Sequence, residues 1–245
     1  MKNRYAFTLL ELVFVIAIIS LLLTIILPML SMSKDKARKT KCVVNLNQLG
    51  TVTKLYADEQ AYYPDGYRET PEGIFYWFGF IDTAKSVQFD KGPMHDYIKN
   101  PGILLCPAFT EKYKSISSSE STCSYGINME YVGGNPEPYV APTEIEILNG
   151  TAASSKFIKQ ADKTLMYMDT AFVDSGELSE SPYFWAKDFY AATAVEHEAR
   201  SHFRHRKVAV GVFCDGHTED NILPDAINDK NFKVGWPTLN ICERY

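Results

Sequence analysis

Basic residues are scarce beyond the first quarter of the sequence, and this scarcity excludes one class of function. Residues 1–56 hold 8 of the 25 lysines and arginines and 2 of the 30 acidic residues, which leaves residues 57–245 with 17 basic and 28 acidic residues. Nucleic-acid binding needs a basic surface that neutralises phosphates. The acidic body therefore predicts no nucleic-acid partner, whereas the basic N-terminal part suits the headgroups of an anionic lipid bilayer.

Cysteine is also scarce, and its spacing does not match the common zinc motifs. The five cysteines are Cys42, Cys106, Cys123, Cys214 and Cys242, and no two of them form a C-x-x-C pair. The spacing alone therefore does not predict a structural zinc site. In a body outside the cytoplasm some of these thiols would form disulfides. Cys106 with Cys123 and Cys106 with Cys42 are both candidate pairs, and the sequence does not decide between them.

Fingerprints of catalysis are missing as well, since no nucleophile elbow, P-loop or dinucleotide-binding glycine pattern occurs. Four histidines, His197, His202, His205 and His217, lie close together in the sequence. Their spacings, H-x4-H and H-x2-H, do not place three ligands on one face of an element. We therefore predict a protein that is not an enzyme, and keep an extracytoplasmic metalloenzyme built on His197, His205 and His217 as an alternative.

What the sequence does contain is one long apolar run. Leu12 to Leu30 is 19 residues without a charge, and a helix needs about 20 to cross the hydrocarbon core of a bilayer. A secretory signal peptide would have a shorter apolar region, about 7–15 residues, followed by a small-residue cleavage site. The run is apolar on every face, which disfavours a core helix of a soluble domain. Glu11 stands at its head, and a carboxylate inside a membrane helix is normally paired or functional.

The segment KNRYAFTLLELVFVIAIISLLLTIILP resembles the N-terminal signal of type IV pilins and type II secretion pseudopilins. This resemblance implies that prepilin peptidase cuts between Ala6 and Phe7 and that the new amino group of Phe7 is methylated. The family usually has glycine where this chain has Ala6. Glu11 matches the acid at the fifth mature position of the family. In a filament it would pair with the Phe7 amino group of an adjacent subunit and fix the axial register; the alternative is that Glu11 lies solvated at the level of the lipid headgroups. Pro28 matches the mid-helix proline of the family.

Beyond the run, apolar residues recur at spacings of three and four and predict that the helix continues to about residue 58. The predicted stripe consists of Ala37, Cys42, Leu46, Leu49, Thr53 and Tyr56. The expected organisation is a leader at 1–6, a transmembrane helix at 7–30, an amphipathic continuation at 31–58 and a globular domain at 59–245. The predicted fold class is α+β, with the long N-terminal helix packed on a C-terminal antiparallel β-sheet domain.

Two shorter patterns in the body predict strands. The aromatic run GIFYWFGFI, Gly73 to Ile81, is either a strand or a short buried helix. Exposure of Tyr76, Trp77 and Phe78 would favour a sugar-binding platform, whereas burial would mean core packing. The segments ILLCP and CSYGIN also predict short strands.

The C-terminal stretch RHRKVAVGVFCDGHTEDNI predicts a strand that enters a tight hairpin. Asp215-Gly216 suits the positive φ angles of a type I′ turn. His205, with nine residues between it and Asp215-Gly216, resembles the H-x9-DG signature of a large group of pseudopilin-like bacterial proteins. This resemblance implies a structural role for His205 at the entrance to the strand.

These features together predict a pilin-like structural subunit of a type II secretion pseudopilus or a related filament. Its partners would be prepilin peptidase, other pilin-like subunits and an inner-membrane assembly platform. It would cross the inner membrane once, with the C-terminal domain in the periplasm, although two basic residues before the run and five after it favour the opposite orientation by the positive-inside rule.

Two further possibilities stay open at this point. A membrane-tethered or filament-displayed module that binds polysaccharide is the main alternative function. No cofactor is predicted, although calcium is conceivable at acidic residues such as Asp225 and Asp229, which form no D-x-[DN]-x-[DN]-G loop.

Overall fold

The computed structural model describes residues 8–109, 122–129, 131–134, 152–153, 158–174, 176–185, 201–229 and 233–237. The chain divides into two compact units, residues 1–38 and residues 39–245. Several predicted features lie outside the described residues. These are the leader with Ala6 and Phe7, His197, and Cys242.

The first unit consists of the start of helix α1, which runs from Leu9 to Gln60. Among the described residues, α1 is the one helix that is long and apolar enough to cross a membrane. Its polar side chains bond within the helix, since Ser20 Oγ donates to the Ile16 carbonyl and Thr24 Oγ1 donates to the Ser20 carbonyl, both at 2.8 Å. Such internal bonds are what a hydrocarbon environment requires.

Pro28 lies inside α1, and the helix continues through it. Because proline has no N–H, the carbonyl four residues earlier, that of Thr24, loses its usual helical donor. The missing bond locally loosens a segment whose side chains are exposed.

The second unit begins with the remaining turns of α1, whose one face is buried. The buried residues recur every three or four positions, and they are Cys42, Asn45, Leu46, Leu49, Gly50, Thr53 and Ala57. The predicted stripe is thus confirmed at Cys42, Leu46, Leu49 and Thr53. Tyr56 is half-buried and Ala37 is exposed, so the stripe begins later than predicted.

Fourteen strands follow α1 among the described residues. In chain order they are β1 (Tyr67–Thr70), β2 (Gly73–Tyr76), β3 (Gly79–Asp82), β4 (Val87–Gln88), β5 (Tyr125–Asn128), β6 (Leu165–Asp169), β7 (Phe172–Asp174), β8 (Glu177–Ser179), β9 (Tyr183–Phe184), β10 (Ser201–His202), β11 (Ala209–Phe213), β12 (Thr218–Ile222), β13 (Pro224–Asp229) and β14 (Val234–Pro237). Two short 3-10 helices cover Phe89–Lys91 and Pro101–Leu104.

The strands form four sheets. The central one has the order β12-β11-β6-β5-β9, and the others are β1-β2-β3-β4, β10-β14-β13 and β7-β8. All recorded pairings are antiparallel except that of β5 with β9. The predicted α+β class, with one long N-terminal helix followed by a sheet domain, is confirmed.

The aromatic run folds as the β2–β3 hairpin. Trp77 and Phe78 at its turn are buried, at 0% and 2% exposure. The Trp77 indole N–H donates to the Pro182 carbonyl at 2.8 Å, which satisfies its polar atom inside the core.

The strand predicted for ILLCP is wrong, whereas CSYGIN does contain a strand, β5. Ile103 and Leu104 belong to the 3-10 helix Pro101–Leu104. Asn100 caps that helix, since its Oδ1 accepts the Gly102 N–H at 3.0 Å. Proline in the first helical position has a φ angle already suited to a helical turn, and here this local signal outweighs the apolar run.

The predicted C-terminal hairpin exists as β11 and β12, but its turn is not type I′. Gly216 has a φ of 98°, whereas Asp215 is not among the residues with positive φ. The Gly216 N–H donates to the Phe213 carbonyl at 2.9 Å, and the Phe213 N–H donates to the His217 carbonyl at 2.9 Å. The connection is therefore a three-residue loop that closes on a left-handed glycine.

A disulfide joins α1 to the segment after the second 3-10 helix. Cys42 pairs with Cys106, with their Cα atoms 5.3 Å apart, so the structure selects one of the two predicted pairs. Cys123 and Cys214 are free and buried. The two cysteines are 64 residues apart in the sequence. In the chain-entropy description, a cross-link that closes a loop of this length stabilises the folded state by about 4 kcal/mol.

Gly50 allows α1 to approach the central sheet closely. A Cβ atom at this position would lie 2.6 Å from Cγ2 of Val212 on β11. We expect Gly50→Ala to destabilise the protein, because overpacking costs about 1–3 kcal/mol and outweighs the helix-propensity gain of about 1 kcal/mol.

A double-mutant cycle with Val212→Ala checks this cause. Shortening Val212 frees the space that the new methyl group needs, so the two substitutions should couple favourably by about 1 kcal/mol. The measurement is the free energy of unfolding of the detergent-solubilised full chain in denaturant. Gly50→Ala protein as stable as the wild type would contradict the close-packing explanation.

Candidate functional site

The start of α1 is built as a reciprocal cap between Thr8 and Glu11. Glu11 Oε2 accepts the Thr8 N–H and the Thr8 hydroxyl, both at 2.8 Å. In return, the Glu11 N–H donates to Thr8 Oγ1 at 3.2 Å. The Thr8 carbonyl accepts the first helical bond, from the Leu12 N–H, at 3.3 Å. This is a capping box, with Thr8 as N-cap and Glu11 in the third helical position.

The capping box gives Glu11 a partner that the sequence reasoning missed. The signal was present, since Thr8-Leu9-Leu10-Glu11 has the spacing of a capping box ahead of an apolar run. A carboxylate in the first turn also interacts favourably with the positive end of the helix dipole. Pairing of Glu11 with the Phe7 amino group stays a prediction, because Phe7 lies outside the described residues.

A second polar site is buried around His205, which precedes β11. His205 and Val208 exchange backbone bonds, with N–H donors 3.1 and 3.3 Å from their acceptors. Between them Arg206 and Lys207 have φ angles of 56° and 74°. The chain thus has a two-residue turn of the type I′ kind here, without glycine, and such positive φ angles store strain.

The strained turn places the His205 ring against the carboxylate of Asp169, at the end of β6. His205 Nε2 lies 3.3 Å from Asp169 Oδ2. The same oxygen accepts the Val210 N–H at 2.9 Å. Asp169 is fully buried and His205 is 5% exposed, so the carboxylate needs a compensating charge.

Arg204 supplies that charge. Its Nε lies 3.5 Å from Asp169 Oδ1, and its side chain is 2% exposed. The guanidinium also donates to the carbonyls of Ser124, at 3.1 Å, and of Thr170. Its Cζ lies 4.2 Å from the centre of the Phe109 ring. Arg204 thereby links the strand end at Asp169 to the segments around it.

The disulfide lies on the other side of His205. Cys106 Sγ is 3.5 Å from His205 Nε2. Cys42, Cys106 and His205 are the one group among the described residues whose sulfur and nitrogen atoms all lie within 4.8 Å of one another. His205 therefore lies between a carboxylate and two sulfurs.

Asp215 and Gly216 lie at the opposite end of β11 from His205, so the structure does not bring the H-x9-DG residues together. Asp215 Oδ1 accepts the His217 N–H at 3.0 Å and lies 2.7 Å from His217 Nδ1. Lys54 on α1 donates to the Asp215 carbonyl at 2.6 Å. These contacts stabilise the turn and fasten it to α1.

Two alternatives lose support from these positions. The metalloenzyme needs His205 and His217 to converge, but they lie at the two ends of β11, and His217 is exposed at its turn. The polysaccharide platform needs exposed aromatic rings, but Trp77 and Phe78 are buried. Asp225 and Asp229, considered for calcium, lie on β13.

Comparisons with known proteins bear on the N-terminal segment alone. The family model of the prokaryotic N-terminal methylation motif matches residues 1–27. No curated protein and no solved structure matches the chain. The motif supports a pilin-type protein that is processed by prepilin peptidase and assembles with other pilin subunits, and the apolar start of α1 is consistent with a membrane anchor.

The buried charges around Asp169 generate a stability prediction. Arg204→Met removes the cation that compensates a buried carboxylate, and breaking such a pair costs about 3–5 kcal/mol. The double variant Arg204→Met with Asp169→Asn should lose less, because no buried charge is left. Lys99→Met is the control, since Lys99 is exposed. Unfolding of the full chain in denaturant is the measurement, and equal losses in the single and double variants would contradict charge compensation.

The buried thiol of Cys214 generates a pH prediction. Burial raises the pKa of Cys214 to about 12, against a hydrogen bond from Tyr63 that lowers it. An unfolded cysteine has a pKa of about 8.5. Between these values the unfolded chain releases a proton that the folded chain keeps, so stability is fully present below about pH 8.5 and falls as the pH rises.

Cys214→Ala should make the free energy of unfolding fall less steeply above about pH 9 than it does in the wild type. Denaturant unfolding at several pH values measures both slopes. Identical slopes would show that the pKa of the Cys214 thiol does not differ between the folded and the unfolded chain.

Proposed function

We propose that the protein is a non-enzymatic, pilin-like structural subunit. Prepilin peptidase cuts it between Ala6 and Phe7 and methylates Phe7, and the mature chain packs into a type II secretion pseudopilus or a related filament. The match of the prepilin-type motif to residues 1–27 carries this proposal. The type II system is chosen on the resemblance of the N-terminal signal and of His205, Asp215 and Gly216 to pseudopilin sequences.

The capping box explains how cleavage and the helix start are compatible. Cleavage before Phe7 leaves the peptide bond between Phe7 and Thr8 intact, so the Thr8 N–H still donates to Glu11. The new amino group is a cation next to the positive end of the helix dipole, which is unfavourable. The Glu11 carboxylate is already bound at this end of α1 and offsets the charge of that amino group. In a filament it would instead offset the charge of the amino group of an adjacent subunit.

The apolar start of α1 supports the second half of the proposal. From Leu9 to Leu30 its side chains are exposed in the monomer. Lipid covers this surface while the subunit is anchored, and helices of neighbouring subunits would cover it after extraction by an inner-membrane platform. The body, residues 39–245, would then lie on the periplasmic side.

Processing is the direct test of the proposal. The full chain is co-expressed with a prepilin peptidase and an active-site variant of that peptidase, and the N-terminus is determined by mass spectrometry. We expect a chain that begins at Phe7 with one added methyl group, and only with the active peptidase. A chain that still begins at Met1 with the active peptidase would overturn the proposal.

Variants of Glu11 separate its two roles. Glu11→Gln keeps a side chain that can close a capping box but removes the negative charge, whereas Glu11→Ala removes both. If the charge pairs with a Phe7 amino group, both variants should be processed and stay unassembled in the membrane. Thr8→Ser, which keeps the cap, is the matched control and should assemble.

Filament formation is measured by shearing and cross-linking of cells that express the assembly machinery. Normal filaments from Glu11→Gln protein would contradict a charge-pairing role and leave helix capping as the function of Glu11. Processing measured in the same cells shows whether a loss of filaments arises before or after cleavage.

A further inference from the structure

Three side chains surround the His205 ring. Cys106 Sγ lies 3.5 Å from His205 Nε2 and Asp169 Oδ2 lies 3.3 Å from the same atom. Cys42 is bonded to Cys106, and its sulfur lies within 4.8 Å of a ring nitrogen of His205. All four residues are nearly or fully buried. They come from α1, the segment before β5, the end of β6 and the turn before β11.

These separations match the spacing of ligands around a tetrahedral zinc ion. With Zn–N near 2.05 Å, Zn–O near 2.05 Å and Zn–S near 2.3 Å, tetrahedral ligand pairs lie about 3.4 Å apart for nitrogen and oxygen and about 3.6 Å apart for nitrogen and sulfur. The observed distances are close to both values. Two thiolate sulfurs would be about 3.8 Å apart, so the two cysteine side chains must separate once their bond is broken. Asp169 is not in the group of atoms that all lie within 4.8 Å of one another, so its carboxylate must also move towards the sulfurs.

We propose that the protein binds one zinc ion when Cys42 and Cys106 are reduced. Their two thiolates, the Nε2 atom of neutral His205 and the Asp169 carboxylate are the ligands. Sulfur and imidazole ligands favour zinc over calcium or magnesium. Two thiolates, one carboxylate, Zn²⁺ and the guanidinium of Arg204 sum to zero charge, so the loaded cluster leaves no uncompensated charge in the core.

The zinc form and the disulfide form exclude each other, because each uses both sulfurs. An oxidant of the disulfide class converts one into the other. The two zinc-bound thiolates form the Cys42–Cys106 bond, the oxidant's own disulfide is reduced to two thiolates, and Zn²⁺ is released. Cys42 on α1 and Cys106 are thus joined in both forms, through the metal before oxidation and through the covalent bond after it.

The positions of the ligands in the chain explain why the sequence spacing did not reveal this site. Zinc motifs are recognised by pairs of ligands a few residues apart, whereas here every ligand comes from a different segment. Because the ligands are buried, zinc must enter while the chain folds, as is usual for structural sites.

The test uses the full chain, refolded in detergent with zinc under an anaerobic phosphine reductant and then dialysed against metal-free buffer. We expect one zinc per chain by elemental mass spectrometry. Adding oxidised glutathione should release that zinc as the Cys42–Cys106 peptide pair appears in the peptide map. Reduced protein that contains no zinc would overturn the proposal. Oxidised protein that contains as much zinc as the reduced protein would also overturn it.

Cobalt provides a readout that needs no variant. Folding of the reduced full chain with Co²⁺ in place of Zn²⁺ should give the near-ultraviolet absorption of cobalt–thiolate bonds and the visible bands of tetrahedral cobalt. Octahedral cobalt bands without the thiolate absorption would overturn the proposal, since they mean that the metal lies elsewhere.

Variants assign the ligands. Cys42→Ser should abolish stoichiometric zinc binding. Asp169→Asn should weaken zinc affinity at least about 10-fold, because even the loss of a residue that only contacts a ligand typically weakens metal affinity by about 10-fold or more. Cys214→Ser is the matched control, because Cys214 is also a buried thiol but not part of the cluster. Zinc loss in Cys214→Ser as large as in Cys42→Ser would overturn the assignment.

Discussion

The packing of residues 39–60 of α1 on the central sheet is the contact on which the rest of the body depends. Leu46 and Leu49 share one core cluster with Tyr167 of β6 and with strand β11. Gly50 lets the helix backbone come within reach of β11, and Thr53 Oγ1 donates to the Tyr167 hydroxyl at 3.3 Å. Because β11 and β6 are neighbours in the sheet, the packing of α1 on both strands also determines where the segments that precede and follow them lie.

The buried polar cluster at one end of β11 depends on that packing. Asp169 ends β6, and His205 and Arg204 reach it from a turn that holds two residues at positive φ. A charge that is buried so completely is stable only while its partners stay in place. The disulfide from Cys42 closes the cluster from the helix side. His205 therefore contacts the disulfide and the buried carboxylate, and its backbone closes the turn before β11.

The N-terminal helix start combines two demands in one residue. The prepilin-type motif accounts for an acid at Glu11, and helix physics accounts for it equally, since the carboxylate closes a capping box with Thr8. The two explanations agree because the cap holds the carboxylate at the end of α1 where a new amino group would appear. In the proposed function the helix lies first in lipid and later among other helices, and a start closed by its own capping box does not depend on either environment.

The sequence by itself determined features whose interactions lie within a few residues: the long apolar helix, its buried stripe, the strand at β11 and the hairpin beyond it. Contacts at spacings of two to four residues generate these patterns, so they can be predicted without a fold. Local competition explains the errors, as with the capped 3-10 helix at Ile103 and the three-residue turn at Asp215. Only the tertiary structure decided that Cys106 pairs with Cys42, 64 residues away, and not with Cys123, and that His205 meets Asp169. Such contacts depend on how helix and sheet pack together, and no periodicity in the chain records that packing.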